Sequence, residues 1–146
     1  MKKFLVIGNP IEHSLSPTLH NYWIKNNNIN AIYEKQKINE NELEQIVVYI
    51  KKGKINGVNV TVPFKKIIIP FLDELSIEAE KTQSVNTLYL KNNKVIGHNT
   101  DIIGFETSIE KSKYDVVNKE VLILGAGGVV PSIIFALNKM KVSKII

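Results

Sequence analysis

The 146-residue chain contains no cysteine and no arginine, and it has a single tryptophan. Without cysteine there are no disulfides and no thiolate metal sites, so a disulfide scaffold and a zinc-finger arrangement are both excluded. Without arginine, all 19 basic side chains are lysines, and the formal charge of +5 and the pI near 9.3 come from lysine alone. These lysines are scattered among 14 acidic residues. They do not gather into the clustered, aromatic-interleaved stripe that a phosphate-tracking surface needs, so nucleic acid is excluded as a partner. Long hydrophobic runs are also missing. The apolar stretch within Met1 to Gly8 has no small-residue cleavage pattern after it, and nothing approaches the roughly 20 apolar residues that cross a bilayer. These absences predict a soluble, cytoplasmic protein without a membrane partner.

With 44% hydrophobic and 23% charged residues, the chain is expected to form one full domain and part of a second. Phe4 to Ile7 is a continuous apolar run ending at Gly8, the pattern of a strand covered on both faces. Ser16-Pro17 opens a helix to about Lys25, with Ser16 as a candidate cap. Ala31 to Ile38 reads as a strand, Asn41 to Lys52 as an amphipathic helix ended by Gly53, and Gly57 to Val62 as a further strand. Phe64 to Thr82 predicts two short helices joined by a kink at Pro70. Val85 to Leu90 and Val95-Ile96 predict a hairpin turning through Lys91-Asn92-Asn93-Lys94. Thr100 to about Ser112 predicts a helix, Val121 to Leu124 a strand, Val129 to Met140 a helix, and Lys144 to Ile146 the start of another strand.

The expected fold class is therefore α/β: an open, mostly parallel sheet with helices on both faces over residues 1–100. A linking helix and the first β-α-β of a Rossmann-like domain follow over 101–146. One strand, one helix and a strand fragment bury too little apolar surface to offset their ordering entropy. The chain is accordingly expected to be a shortened form of a longer protein or to be completed by another chain. Uncovered apolar strand surface there points to self-association as a homodimer.

Four stretches carry candidate chemistry. In Gly8-Asn9-Pro10-Ile11-Glu12-His13-Ser14-Leu15-Ser16-Pro17, two hydroxyls precede the free N–H groups of a helix start, a setting suited to a small carboxylate. The plainer alternative is a cap and a local turn, with His13 and His20 structural. In Gly57-Val58-Asn59-Val60-Thr61-Val62-Pro63-Phe64-Lys65, strand alternation places Asn59 and Thr61 on one face and the valines on the other. A buried amide or hydroxyl without a partner costs on the order of 1–3 kcal/mol, so either a polyhydroxylated ligand meets them or the strand lies at a solvated edge. Ser84-Val85-Asn86-Thr87 and Gly97-His98-Asn99-Thr100-Asp101 follow. Asn99 or Thr100 can cap the next helix, while Asp101 can partner Lys65 and tune it for proton transfer. Finally, Val121-Leu122-Ile123-Leu124-Gly125-Ala126-Gly127-Gly128-Val129-Val130 places a glycine turn between strand and helix, where Gly125 allows the tight turn and Gly127 lets a pyrophosphate approach.

In this order the four stretches resemble the shikimate dehydrogenase family, from Val6 to the last residue. The resemblance implies reversible, NADPH-dependent reduction of 3-dehydroshikimate to shikimate. It implies that Ser14 and Ser16 bind the substrate carboxylate, that Thr61, Asn86, Asp101 and Lys65 bind ring hydroxyls, and that Asn59 supports the pocket. It makes Lys65 and Asp101 the catalytic pair and assigns NADP to Gly125, Ala126, Gly127, Gly128 and Val129. A quinate/shikimate dehydrogenase, or a substrate-binding module without turnover, are the alternatives. The sequence departs from the family at Gln83-Ser84, where glycine and alanine are common, at Ile102, where glycine is frequent, and at Val130, where a small residue is usual. Local repacking is expected at the first two, and looser helix–strand packing at Val130.

Overall fold

The amino-terminal apolar run becomes an interior strand of a six-stranded sheet. In the computed structural model, which describes residues 1–146, β1 (Lys2–Gly8) lies between β2 (Ala31–Lys37) and β3 (Gly57–Val60) and runs parallel to both. β5 (Thr87–Lys91) then pairs antiparallel with β3, and β6 (Lys94–His98) antiparallel with β5. The two-residue β4 (Glu74–Leu75) closes the edge parallel to β6, giving the order β2-β1-β3-β5-β6-β4. Because β5 runs against β3, its first residue lies beside the last residues of β3 and of β6: Asn59 faces Thr87, and Thr87 faces His98. Three chain segments therefore reach one end of the sheet. The opposite end holds the hairpin turn, where Asn92 and Asn93 both adopt positive φ (50° and 62°), the backbone a tight two-residue hairpin requires.

Helices cover both faces, unequally. Leu5 and Ile7 of β1, Val58 and Val60 of β3 and Leu88 of β5 meet α2 (Leu43–Lys51) in the main core, to which α2 contributes Leu43, Ile46, Val47 and Ile50 at helical spacing. Val6 points the other way and joins Ile11 and Tyr33, with Ile24 of α1 (Ser16–Asn26) packed against them. α1 buries no residue completely, and Leu19, Tyr22 and Trp23 stay exposed along it. The amino-terminal loop differs from expectation at the helix start. Leu15 is the capping residue and no side chain caps the helix; instead the Ser16 backbone N–H donates to Ser14 Oγ at 3.3 Å.

The stretch after β3 also differs from two helices and a kink. α3 (Phe64–Ile67) runs into a 3₁₀ turn at Ile69–Phe71, after which the chain extends through β4 before α4 (Ile77–Thr82). A strand of two residues leaves no periodicity to read, and its partner, Ile96-Gly97, lies about twenty residues away. Gly97 makes room for it: a Cβ there would come within 2.5 Å of Leu72 Cδ1 and 2.9 Å of Leu75 Cδ2.

α5 (Asp101–Ser112) leads to β7 (Glu120–Val121), α6 (Val130–Lys139) and β8 (Lys144–Ile145), with β7 and β8 paired in parallel as the expected β-α-β unit. The ladder of β7 is shorter than the apolar run that predicts it, although the Ile123 N–H still donates to the Ile146 carbonyl at 2.8 Å. α6, with Ala136 and Leu137 buried, packs against α5 and is tied to it by Lys139, whose Nζ lies 2.8 Å from Glu106 Oε2. Leu122 and Leu124, expected in the strand, lie past the end of β7 and are exposed. No helix is long and apolar enough to cross a membrane.

The close approach at Gly97 gives a stability prediction. Gly97→Ala forces Leu72 and Leu75 out of place and is expected to cost about 1–3 kcal/mol, read as a lower urea midpoint at unchanged slope.

Candidate active site

Asn86 sits at the crowded end of the sheet. Its backbone carbonyl accepts from the Val60 N–H at 2.9 Å and its own N–H donates to the His98 carbonyl at 3.0 Å, so it continues the ladder between β3 and β6. Its side-chain oxygen accepts from the Thr100 N–H at 3.0 Å, and its amide nitrogen donates to Asp101 Oδ1 at 2.8 Å. The other Asp101 oxygen, Oδ2, accepts from Lys65 Nζ at 2.6 Å. Lys65 lies on α3, just past β3, and Asp101 opens α5, so the sequence separation of 36 residues closes through the sheet. The two side chains keep 15% and 22% of their surface exposed: the pair is shielded yet open to a small ligand. With both carboxylate oxygens engaged, the ammonium retains two N–H donors for another partner.

Asn59 does not lie at an edge, because β3 is central. Its amide is filled from within: Oδ1 accepts from the Tyr33 hydroxyl at 2.6 Å, and Nδ2 donates to the Asn86 carbonyl at 3.2 Å and to Thr87 Oγ1 at 3.1 Å. Thr61, two residues on, lines a cleft of ≈ 270 Å³ together with His13, Ser14 and Ser16. Ser14 Oγ accepts a backbone N–H there, which leaves its own proton free to be donated. Lys65 lines a second cleft, of ≈ 320 Å³, with Lys66, Ser84, Ala126, Gly127 and Gly128. Thr61 lines the first cleft and Pro63 and Lys65 the second, so one short stretch of chain contributes to both.

The glycine turn faces this second cleft. Gly125 has φ +115°, a backbone that disfavours any side chain. A Cβ on Gly127 would meet nothing within 4 Å, and one on Gly128 would meet only Lys65 Cδ at 3.9 Å. The turn is therefore open on the lysine side and ends at the start of α6, which suits the approach of a pyrophosphate. Ala126, Gly127 and Gly128 line the cleft, joined by Val130 and Pro131, whereas Gly125 and Val129 do not.

The profile of the shikimate dehydrogenase substrate binding domain matches residues 6–88. The chain belongs to that family. A shikimate dehydrogenase (NADP(+)) of Pelagibacter ubique is 64% identical over 99% of this chain and 54% of its own length. One of Desulfitobacterium hafniense is 44% identical over 94% and 50%, respectively. The crystal structure of shikimate dehydrogenase from Aquifex aeolicus superposes with a TM-score of 0.92 at 40% identity, covering 99% of this chain and 55% of that one. That of the Thermus thermophilus enzyme in complex with NADP(H) and shikimate gives 0.90 at 29%, with coverage of 99% and 55%. The chain thus spans about half the length of the curated relatives it matches.

Of the residues expected at a shikimate dehydrogenase site, Lys65, Asp101 and Asn86 share one hydrogen-bonded cluster, and Ser14, Ser16 and Thr61 share one cleft. Sequence reasoning missed Tyr33, which looks like any strand aromatic, and left Asn99 as a helix cap. Asn99 is 1% exposed; its oxygen accepts the Asp101 N–H at 2.9 Å, and its amide nitrogen reaches the Ser84 carbonyl at 2.9 Å and Ser132 Oγ of α6 at 2.8 Å. It ties the start of α5 to the helix after the glycine turn.

Burial pushes the Tyr33 phenol from 10.0 up to about 12, against a smaller opposing effect of the Ser16 hydroxyl. The fold prefers the protonated phenol, so this contribution to stability is complete below pH 10 and is lost as pH rises toward 12. Urea midpoints measured across that window are expected to fall, and to fall less in Tyr33→Phe.

Proposed function

We propose that this chain supplies the substrate-binding and catalytic side chains of an NADP-dependent shikimate dehydrogenase, which interconverts 3-dehydroshikimate and shikimate. The observation that carries the reading is the Lys65–Asp101 pair, 2.6 Å apart, whose lysine lines the glycine-turn cleft four residues after Thr61 of the serine cleft. The names of the relatives and the Thermus thermophilus complex support the same substrate and cofactor. Residues 1–100 hold the ring acid in this reading, and residues 101–146 begin the nucleotide-binding part.

The polar groups suit a small hydroxylated carboxylate. Ser14 and Ser16 offer hydroxyl donors to the carboxylate beside the positive end of α1. Thr61, Asn86 and Asp101 face the ring hydroxyls, and Lys65 stands at the reacting oxygen. Bound NADPH would lie against Ala126, Gly127 and Gly128 and supply the hydride. As negative charge develops on the ketone oxygen, the Lys65 ammonium stabilises it and donates the proton; in the reverse direction the same nitrogen takes the hydroxyl proton. Asp101 holds the lysine in place from one side, and Asn86 holds Asp101.

Two experiments on the complete protein test this reading. Lys65→Ala is expected to lower shikimate-dependent NADP+ reduction by roughly 10²–10⁴-fold while shikimate binding by calorimetry weakens far less; equal damage to both would remove the proton-transfer role. Ser14→Ala with Ser16→Ala is expected to raise KM for shikimate at least about tenfold, the loss of two hydrogen bonds to a charged group, with kcat reduced less. An unchanged KM would leave both as turn residues.

A further inference from the structure

Tyr33 lies behind the site and is fixed from several directions. It is 4% exposed on β2. Asn21 of α1 clamps its backbone, donating from Nδ2 to the Tyr33 carbonyl at 2.7 Å and accepting the Tyr33 N–H on Oδ1 at 3.0 Å. The His20 ring stacks on the phenol ring at 4.1 Å with 3° between planes, and burial holds that imidazole below its ordinary range, favouring the neutral form. The Ser16 hydroxyl is close enough to the phenol to influence its ionisation. What remains is the Tyr33 hydroxyl proton, which goes to Asn59 Oδ1.

We propose that Tyr33 is a positioning residue, which fixes the orientation of the Asn59 amide and through it the Asn86–Asp101–Lys65 cluster. The inference rests on the shikimate dehydrogenase reading above. Its physical basis is the direction of each hydrogen bond. Tyr33 donates to Asn59 Oδ1, so Asn59 must present Nδ2 to Thr87 Oγ1. Thr87 Oγ1 then donates to Asn86 Oδ1 at 2.9 Å, beside the Thr100 N–H at 3.0 Å, and the two donors together turn Asn86 Nδ2 toward Asp101 Oδ1. A flipped Asn59 would set its oxygen against the Asn86 carbonyl, acceptor against acceptor, and the order of donors along the chain would be lost. A phenol that stays protonated through the neutral range keeps this order and places no negative charge beside a bound carboxylate.

The test is a double-mutant cycle on the complete protein with shikimate and NADP+, using Tyr33→Phe, Asn59→Ala and both together. Each single variant is expected to lose about tenfold in kcat/KM for shikimate, with a raised KM for shikimate and KM for NADP+ within about twofold of wild type. The double variant is expected to be no worse than Asn59→Ala alone. A merely structural role would instead lower kcat through a smaller active fraction at unchanged KM. Asn59→Asp is a second probe that keeps the side-chain volume: it can accept from Tyr33 but cannot donate to Thr87, and the same loss is expected. Wild-type kinetics in Tyr33→Phe, or losses that multiply in the double variant, would overturn the inference while leaving the functional reading intact. A wild-type protein that does not oxidise shikimate would overturn the reading and this inference with it.

Discussion

The Asn86 side chain, buried to 9% exposure, is the point on which the site depends. One amide meets the Thr100 N–H just before α5, the Asp101 carboxylate and the Thr87 hydroxyl, and its own backbone bridges two strands. An amide suits this position because it both donates and accepts; a carboxylate there would repel Asp101, and a hydroxyl is too short to serve both partners. The mixed sheet is what makes such a hub available. If every strand ran parallel, the residue before β5 would lie at the far end of the sheet from Lys65.

Much of the fold was legible because its signals are local or periodic. The doubly buried β1, the heptad-like spacing of Leu43, Ile46, Val47 and Ile50, and the Asn-Asn hairpin each follow from side-chain pattern and backbone preference. β4 was not legible, since two residues carry no period and its reason to exist is a glycine on β6. For the site, polar residues in apolar surroundings marked Asn59 and Thr61. The pairing of Lys65 with Asp101 was open until the family resemblance favoured it, because a lone lysine and a helix-start aspartate each have an ordinary structural role. Tyr33 and Asn99 escaped for a related reason: their importance lies in which atom faces which, and the sequence does not display direction.

The departures from the family pattern find partners in the structure. Gln83 ends α4 with φ 49°, the left-handed backbone that glycine adopts most easily, and its amide donates to the Glu80 carbonyl at 2.7 Å. Ser84, nearly buried, donates from Oγ to the Gly128 carbonyl at 3.3 Å, a contact that alanine cannot make. Ile102 fills core space at 3% exposure. Of these replacements, Ser84 adds a link between the substrate side and the glycine turn. With no arginine in the chain, such links fall to amides, hydroxyls and lysines, which meet carboxylates one hydrogen bond at a time.

The Asn92-Asn93 turn projects from the pole of the sheet farthest from Lys65 and Asp101, and the strands leading to it end in exposed Lys91 and Lys94. Length there is uncoupled from chemistry. A peptide epitope or a small reporter grafted between the two asparagines would hang into solvent while the register from Thr87 to Leu90 stayed pinned by β3 and β6, so this tip is the natural place to attach cargo.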